Sequence, residues 1–262
     1  MADIVPGIVD VEKRDHVLHI SIDRQKKMNA FTPEMFTELG EALTRLDESA
    51  DLWVGIISFA GKHTTAGLDL PLFRDSMQSG ASAAAEDKVD AFGLHRRCRK
   101  PLVMAVQGVC YTIGIEMMLG CDIVVAADDA RFCQLEPKRG LAVLGGANIR
   151  YVERACWGNA MYHLLRADEF NAERALQLGF VQEVVPAGTQ VSRAEELAAE
   201  VAANAPIAIQ AIKASALEYL RNGEAAAVAM IPEIRQRTAN SADAAEGLKS
   251  FIERRDPVFQ GK

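Results

Sequence analysis

The chain has 262 residues, of which 49% are hydrophobic and 25% charged, the composition of an ordinary globular protein with room for one large domain. Its formal net charge of −7 argues against a general nucleic-acid binder, because such proteins present a basic face to phosphates. The net charge does not exclude a small anionic ligand, which needs only a local basic patch.

The first half of the chain alternates strand and helix patterns. Residues 16–23 approach the period-two alternation of a strand. Thr32 and the proline after it are typical of a helix start, and the apolar spacing that follows predicts an amphipathic helix over residues 33–47. Apolar strands are predicted at 53–59 and 102–106. Strands that are apolar throughout indicate α/β units around a sheet buried on both faces.

Two later regions have a different composition. Residues 71–85 are rich in Ser, Gly and Ala and predict a mobile loop, a place where substrate access is often controlled. Beyond residue 185 the patterns are Ala-rich and helical. We therefore predict an α/β core over residues 1–198 and a helical C-terminal region over residues 199–262.

The apolar segment 101–127 is long enough to suggest a membrane span. Gln107, Glu116 and Asp122 interrupt it, however, and glycines punctuate it. A strand, a turn, a buried helix and another strand account for it better. The N-terminus also has no basic stretch followed by an apolar one, so we predict a soluble chain with no secretory signal and no membrane partner.

The five cysteines lie mostly in apolar stretches, and none belongs to a C-x-x-C pair or to a zinc-like Cys/His spacing. This pattern predicts buried free thiols, no metal site and a reducing compartment, the cytoplasm. Nucleophile-elbow, Walker-type, H-E-x-x-H and dinucleotide-binding motifs are missing as well. Serine hydrolysis, phosphoryl transfer and hydride transfer therefore lose most of their support.

Two features of the sequence could hold an anionic or oxyanionic group. Arg24, Lys26 and Lys27 form a basic stretch after a strand, although such a stretch is commonly a solvated turn. Residues 66–70 also follow a strand, and their glycine can help present backbone N–H groups to an oxyanion. The alternative for Asp69 in that segment is a helix N-cap.

Two glutamates stand out by their surroundings. Glu116 lies in an otherwise apolar run, and a carboxylate is rarely buried without a partner or a task. Glu136 precedes Pro137, which disfavours a helix and is expected to hold the glutamate extended in a loop. The alternatives are a salt bridge to an arginine for Glu116 and an ordinary surface acid for Glu136.

Taken in order, these features resemble the crotonase, or enoyl-CoA hydratase/isomerase, superfamily over nearly the whole chain. Residues 24–30 look like the family's segment after the second strand, and residues 66–70 match its first oxyanion motif. Residues 106–122 look like the second oxyanion motif, with its glutamate and Cys-Asp pair. Residues 132–140 resemble the F-x-Q-x-E-x-x-x-G stretch that carries a second glutamate, and residues 251–259 are similar to the family's ending.

The resemblance implies an α/β fold, a crotonase-like spiral of ββα units with a helical C-terminal region that forms a homotrimer or a dimer of trimers. It implies an acyl-CoA thioester substrate, with coenzyme A as part of the substrate and no separate cofactor. The thioester oxygen would be held by the backbone N–H groups of Leu68 and Ile113. The residues implied along the coenzyme A path are Lys26, Lys27, Met28, Ala30, Ala66, Gly67, Asp69 and Leu70.

By the same resemblance Glu116 and Glu136 are the catalytic pair of an enoyl-CoA hydratase. Glu116 would be the base on the attacking water and Glu136 the acid near the α-carbon. The presence of both glutamates favours a hydratase over branches of the family that keep one or neither. Double-bond isomerisation, thioester hydrolysis and a catalytically weak acyl-CoA binder are the alternatives.

The sequence departs from the family pattern near the expected acyl site. Thr112 and Ile113 stand where glycines are frequent, which predicts a narrowed or reshaped acyl pocket. Leu135 and Leu144 replace a frequent proline and a frequent glycine close to the second glutamate. Thr64 stands where an aromatic residue is common, which is expected to alter the acyl side as well.

Overall fold

The computed structural model describes residues 5–79 and 87–262, and these residues form two β-sheets surrounded by helices. The strands are β1 (Ile8–Arg14), β2 (Val17–Asp23), β3 (Val54–Phe59), β4 (Leu102–Val106), β5 (Val109–Tyr111), β6 (Ile123–Ala127), β7 (Arg131–Cys133), β8 (Phe170–Asn171) and β9 (Glu183–Val185). The helices are α1 (Pro33–Glu48), α2 (Leu70–Ser79), α3 (Ile113–Gly120), α4 (Ala147–Arg166), α5 (Ala172–Gln177), α6 (Gln190–Ala202), α7 (Pro206–Asn222), α8 (Glu224–Ala229), α9 (Ile231–Ala239) and α10 (Ala242–Glu253). Two 3-10 helices cover Gln25–Lys27 and Glu136–Arg139.

The chain winds between the two sheets. The larger sheet has the order β1-β2-β3-β4-β6-β9, in which only β1 and β2 pair antiparallel, and the smaller sheet has the order β5-β7-β8. Strands β4 and β5 enter different sheets and are followed by α3, and β6 and β7 repeat the pattern before α4. These repeats are the ββα units that the family resemblance predicts.

Helix α1 shows how local sequence sets the elements around the site. Thr32 is its N-cap, with the side-chain oxygen accepting a hydrogen bond of 3.3 Å from the N–H of Met35, and Pro33 occupies the first turn. Leu39 and Leu43 lie on its buried face and pack into the main hydrophobic core. The helix therefore has a fixed start and a fixed rotation, which places its other residues along a cavity described below.

The larger sheet is covered on both faces. Helix α6 packs Ala194 and Ala198 against Val103 and Val125 on one face, while the main core fills the other. Every residue of β4 is buried, as expected for a strand between two layers. The predicted boundary at residue 198 falls inside α6, and helices α7 to α10 follow it as the predicted helical C-terminal region.

Several predicted elements are confirmed within one or two residues. They are the strands at 16–23, 53–59 and 102–106 and the helix at 33–47. In the apolar segment 101–127 the two predicted strands and the buried helix are confirmed as β4, β6 and α3, and the structure adds the short strand β5 between β4 and the helix. Within residues 5–79 and 87–262, none of the helices combines the length and the apolar character that crossing a bilayer requires.

Two expectations about local structure are wrong. Most of the predicted loop at 71–85 is helix α2, whose Phe73 is buried in the protein, while residues 80–85 lie outside the described part of the chain. Glu136 is not extended in a loop but begins a 3-10 helix. Pro137 lies in the first turn of that helix, where a missing N–H costs no hydrogen bond.

Candidate active site

A cavity of about 650 Å³ opens between α1, α2, the start of α3 and the segment after β7. Its wall is largely apolar, with Phe36, Phe73 and Phe92 among the lining side chains. Glu116 and Glu136 both line it. The cavity has the size and the mainly apolar lining, with a few polar groups, that are typical of a small-molecule site.

Helix α3 carries Glu116 into this cavity. All eight residues of the helix are buried, and Glu116 in its first turn is only 2% exposed. The N–H of Ala147 donates to Glu116 Oε1 at 3.3 Å. Gly145 lies so close that a Cβ added there would come within 2.2 Å of Oε2. The carboxylate is thus enclosed by the turn that precedes α4.

This enclosure changes the acidity of Glu116. Burial raises its pKa to about 7, and the negative charge of Glu136 adds to the increase. The N–H groups of Ala147 and Gly145 and the charge of Arg150 oppose the increase, because they favour the ionised form. The alternative of a salt bridge is not realised: Arg150 donates instead to the backbone oxygen of Glu116, at 3.5 Å.

Glu136 reaches the cavity from the 3-10 helix after β7. It is half-buried, and burial raises its pKa to about 7 while its own backbone N–H opposes the increase. With its amide nitrogen turned toward the carboxylate, buried Gln134 donates to Oε1 and Oε2 at 3.2 and 3.1 Å. Sequence reasoning missed Gln134 as a site residue. Gln134 stands two residues before Glu136 in the sequence, but neither its burial nor this contact is visible there.

Two backbone N–H groups are free at the wall of the cavity. Leu68 follows Gly67, whose φ is +112°, and Ile113 is the first residue of α3, where N–H groups have no intrahelical acceptor. Among the hydrogen bonds of the described residues, none uses the N–H of Leu68 or of Ile113. Both residues line the cavity. This arrangement can stabilise negative charge on a carbonyl oxygen.

Thr112 directly precedes Ile113, contacts Gly67 and has an unusual backbone conformation. Its φ of +50° and ψ of −113° lie outside the regions that a β-branched residue normally adopts. Such a conformation costs on the order of 1–3 kcal/mol. A Cβ added at Gly67 would come within 2.4 Å of Thr112 Oγ1, so a side chain at residue 67 has no room.

The predicted basic stretch divides into two parts. Arg24 is buried and structural: it donates to the backbone oxygens of Val5 and Ala30 and pairs with Asp69 at 2.9 Å. Lys26 and Lys27 lie on the exposed 3-10 helix and do not line the cavity. They are therefore available only to a part of a ligand that extends outside it.

Of the other residues implied along the coenzyme A path, some line the cavity and others lie outside its wall. Ala66 and Leu70 line the cavity, whereas Met28, Ala30, Gly67 and Asp69 do not. The N–H of Ala66 donates to the carbonyl of Met28 at 3.0 Å, which connects the exposed 3-10 helix to the cavity wall. The carboxylate of Asp69 is engaged by Arg24.

Only some of the residues that depart from the family pattern line the cavity. Leu135 and Leu144 line the cavity beside Glu136. Thr64 is fully buried and is not among the residues that line the cavity, so its effect on the acyl side stays a prediction. Its hydroxyl donates to the carbonyl of Gln107 at 2.9 Å and accepts from the N–H of that residue at 2.7 Å.

A turn organised by Asp90 forms another part of the wall, and sequence reasoning missed it. The Asp90 carboxylate accepts hydrogen bonds from the N–H groups of Phe92, Leu94 and His95, at 2.9, 3.2 and 2.8 Å. All four residues line the cavity. An aspartate shortly before a glycine was the turn signal in the sequence.

The sequence profile of the enoyl-CoA hydratase/isomerase family matches residues 12–262, and the chain belongs to this family. The chain is 34% identical over 257 residues to enoyl-CoA hydratase EchA19 of Mycobacterium tuberculosis, covering 96% of each protein. It is 30% identical over 261 residues to (E)-benzylidenesuccinyl-CoA hydratase of Thauera aromatica, covering 97% of this chain and 99% of that protein.

A solved structure gives the same result for the fold. The crystal structure of an enoyl-CoA hydratase from Mycobacterium tuberculosis H37Rv is similar with a TM-score of 0.87 and 35% identity, over 97% of this chain and 99% of that one. The predicted α/β, crotonase-like fold is therefore confirmed.

Proposed function

We propose that this protein is an enoyl-CoA hydratase, which adds water across the 2,3 double bond of an acyl-CoA thioester. The observation that carries the proposal is the shared cavity of Glu116 and Glu136, whose pKa values are both raised to about 7. Near neutral pH such a pair can hold one proton between two carboxylates, the state that combined acid and base catalysis needs. The free N–H groups of Leu68 and Ile113 supply the second requirement, an oxyanion site.

The reaction balances with water and the thioester alone. One carboxylate takes a proton from water while the oxygen of that water bonds to the β-carbon. The electron pair of the double bond moves toward the thioester carbonyl, and the protonated carboxyl then gives its proton to the α-carbon. The two N–H groups stabilise the enolate-like intermediate state, and losing one such donor typically costs about 2.7–4 kcal/mol. No electrons leave the reactants, so we propose no further cofactor.

We assign the base role to Glu116 and the acid role to Glu136. The N–H groups of Ala147 and Gly145 favour the ionised form of Glu116, as a base requires. Around Glu136, burial raises the pKa, while its own N–H and the amide of Gln134 favour the ionised form, so the acid role follows from the family resemblance of residues 132–140. The coenzyme A part would extend past Ala66 toward exposed Lys26 and Lys27.

We also propose a homotrimer or a dimer of trimers in the cytoplasm. Large apolar side chains are exposed along α4, α7 and α10, which supports association of copies of the chain. All five cysteines are free and four of them are buried, which supports a reducing compartment.

The test is turnover of a panel of 2-enoyl-CoA thioesters, followed by loss of the conjugated absorbance. We expect Glu116→Gln and Glu136→Gln each to reduce kcat by about 10²-fold or more, the scale of general acid–base catalysis. Glu38→Gln makes the same chemical change on the exposed face of α1 and should leave kcat unchanged. Absence of turnover on every chain length, with acyl-CoA still bound, would reject the hydratase. Migration of the double bond without hydration would identify an isomerase.

A further inference from the structure

We propose that the hydroxyl of Thr112 is a third hydrogen-bond donor of the oxyanion site, directed at the same thioester oxygen as the N–H groups of Leu68 and Ile113. This inference rests on the proposed function, because it requires a thioester in the cavity. It makes Thr112 a catalytic residue rather than a spacer at the start of α3.

The position of Thr112 supports this role. It directly precedes Ile113, and its Oγ1 lies against Gly67, the residue before Leu68. The side chain is therefore close in space to the Gly67–Leu68 segment and adjacent in sequence to Ile113, the two places that carry the free N–H groups. Thr112 itself lines the cavity and is partly accessible from it.

The hydroxyl is not used for the ordinary task of a threonine at a helix N-cap. Such a side chain normally accepts a hydrogen bond from an N–H of the first turn, as Thr32 does at the start of α1. At Thr112 this side-chain bond is missing, and only the backbone oxygen accepts hydrogen bonds from the first turn, from Ile115 and Glu116 at 2.9 and 3.1 Å. Across the described residues, no hydrogen bond uses Thr112 Oγ1. It is free to donate to a ligand.

The backbone conformation argues in the same direction. A positive φ is a position where glycine fits without strain, and Thr112 occupies it with a β-branched side chain. Neither helix capping nor core packing accounts for a threonine at this position, since the hydroxyl caps nothing and the residue is partly exposed. Strain that persists in a cavity wall points to a function for the side chain.

A donor to the thioester oxygen acts mainly in the transition state, where charge accumulates on that oxygen. Its removal should therefore lower kcat with little change in KM. We expect Thr112→Val, which keeps the shape and loses the hydroxyl, to lower kcat by about 10-fold or more, since hydrogen bonds to charged groups are the stronger class. Thr112→Ser keeps the donor and should stay within about threefold of the wild type.

A spectroscopic measurement separates a donor from a structural role. The carbonyl stretching frequency of a bound, 13C-labelled saturated acyl-CoA reports hydrogen bonding to the thioester oxygen without any turnover. We expect the frequency in Thr112→Val to move toward that of free acyl-CoA, and the frequency in Thr112→Ser to match the wild type. Thermal melting of the free proteins checks that both variants fold.

The outcomes distinguish this inference from the proposed function. A folded Thr112→Val variant with wild-type kcat and wild-type carbonyl frequency would overturn the inference and leave the hydratase intact. If the wild type hydrates no enoyl-CoA but the carbonyl shift is lost in Thr112→Val and kept in Thr112→Ser, the hydratase fails and the third donor stands.

Discussion

At the scale of single residues, the burial of Glu116 raises its pKa and so makes the stability of the folded chain depend on pH. Its pKa in the folded chain is about 7, against 4.5 for an unperturbed glutamate. The unfolded chain therefore ionises this group at lower pH than the folded chain does. The stability that neutral Glu116 contributes is fully present below about pH 4.5 and is lost as the pH rises through about 7.

It follows that Glu116→Gln should stabilise the protein at alkaline pH while it removes activity. The gain at pH 8 is at most roughly 3 kcal/mol, from 1.36 kcal/mol per pKa unit, and it should shrink toward pH 5. Urea unfolding of both proteins at pH 5 and pH 8 measures it. Glu38→Gln, on the exposed face of α1, should show no such pH-dependent gain. An equal free-energy difference at the two pH values would contradict the raised pKa.

Gly145 provides a second prediction about the same carboxylate. An alanine Cβ at this position would lie 2.2 Å from Glu116 Oε2, so the carboxylate must move. A displacement of about 1 Å can cost about 10²-fold in rate, and we expect a loss of that size in kcat for Gly145→Ala. Gly158→Ala is the matched control, because a Cβ there meets no atom within 4 Å. Unchanged kcat in Gly145→Ala would show that Glu116 is not held where the structure places it.

Glu116 could be singled out from the sequence for a physical reason, whereas Glu136 was singled out by the proline after it and by the family resemblance. A charge inside an apolar run, such as Glu116, is costly to bury, and so it marks a site. The conformation of Thr112 and the contact of Gln134 with Glu136 could not be predicted. Both depend on how distant segments meet, and no local pattern encodes a positive φ at a threonine.

At the scale of secondary-structure elements, hydrophobic periodicity predicted an element correctly where the sequence carried one strong pattern. Helix α1 has a cap, a first-turn proline and a buried apolar face, all visible in the sequence. Asp69 and Pro71 are typical of a helix start, but α2 buries only Phe73, and the Ser, Gly and Ala content of residues 71–85 resembled a loop. Its helical structure brings Phe73 onto the cavity wall, a tertiary effect that propensity does not describe.

Helix α3 shows how an element prepares the chemistry. It is apolar on every side, so the helix is buried whole and takes Glu116 with it. Its first residue, Ile113, leaves an N–H free at the same wall. One buried helix thus carries both a carboxyl group of raised pKa and the N–H that we propose as an oxyanion donor. The proposed third donor, Thr112, is the N-cap residue that precedes the helix.

At the scale of the whole molecule, exposed apolar side chains support the proposed association of copies of the chain. Phe251 and Ile252 on α10 are 82% and 71% exposed, and Trp157 and Leu165 on α4 are 69% and 75% exposed. Side chains of this size contribute roughly 1.5–3 kcal/mol each when they become buried. Association of copies of the chain would bury them, which is the physical basis of the proposed trimer.

We therefore expect three chains of 28.5 kDa, about 86 kDa, or twice that mass, by light scattering on a sizing column. Phe251→Asp combined with Ile252→Asp should reduce the mass, because charges replace apolar contacts. Gln177→Asp adds a charge on an exposed polar position of α5 and should not. A wild type that elutes as a monomer at micromolar concentration would reject the oligomer.

The same double variant tests how far the site depends on assembly. Among the described residues, the lining of the cavity comes from α1, α2, α3 and their neighbouring segments, and none of it comes from α6 to α10. If one chain holds the whole reacting centre, a dissociated variant should lose mass but still turn over enoyl-CoA at a measurable kcat. A dissociated, folded variant with no turnover would place part of the working site on a second copy of the chain.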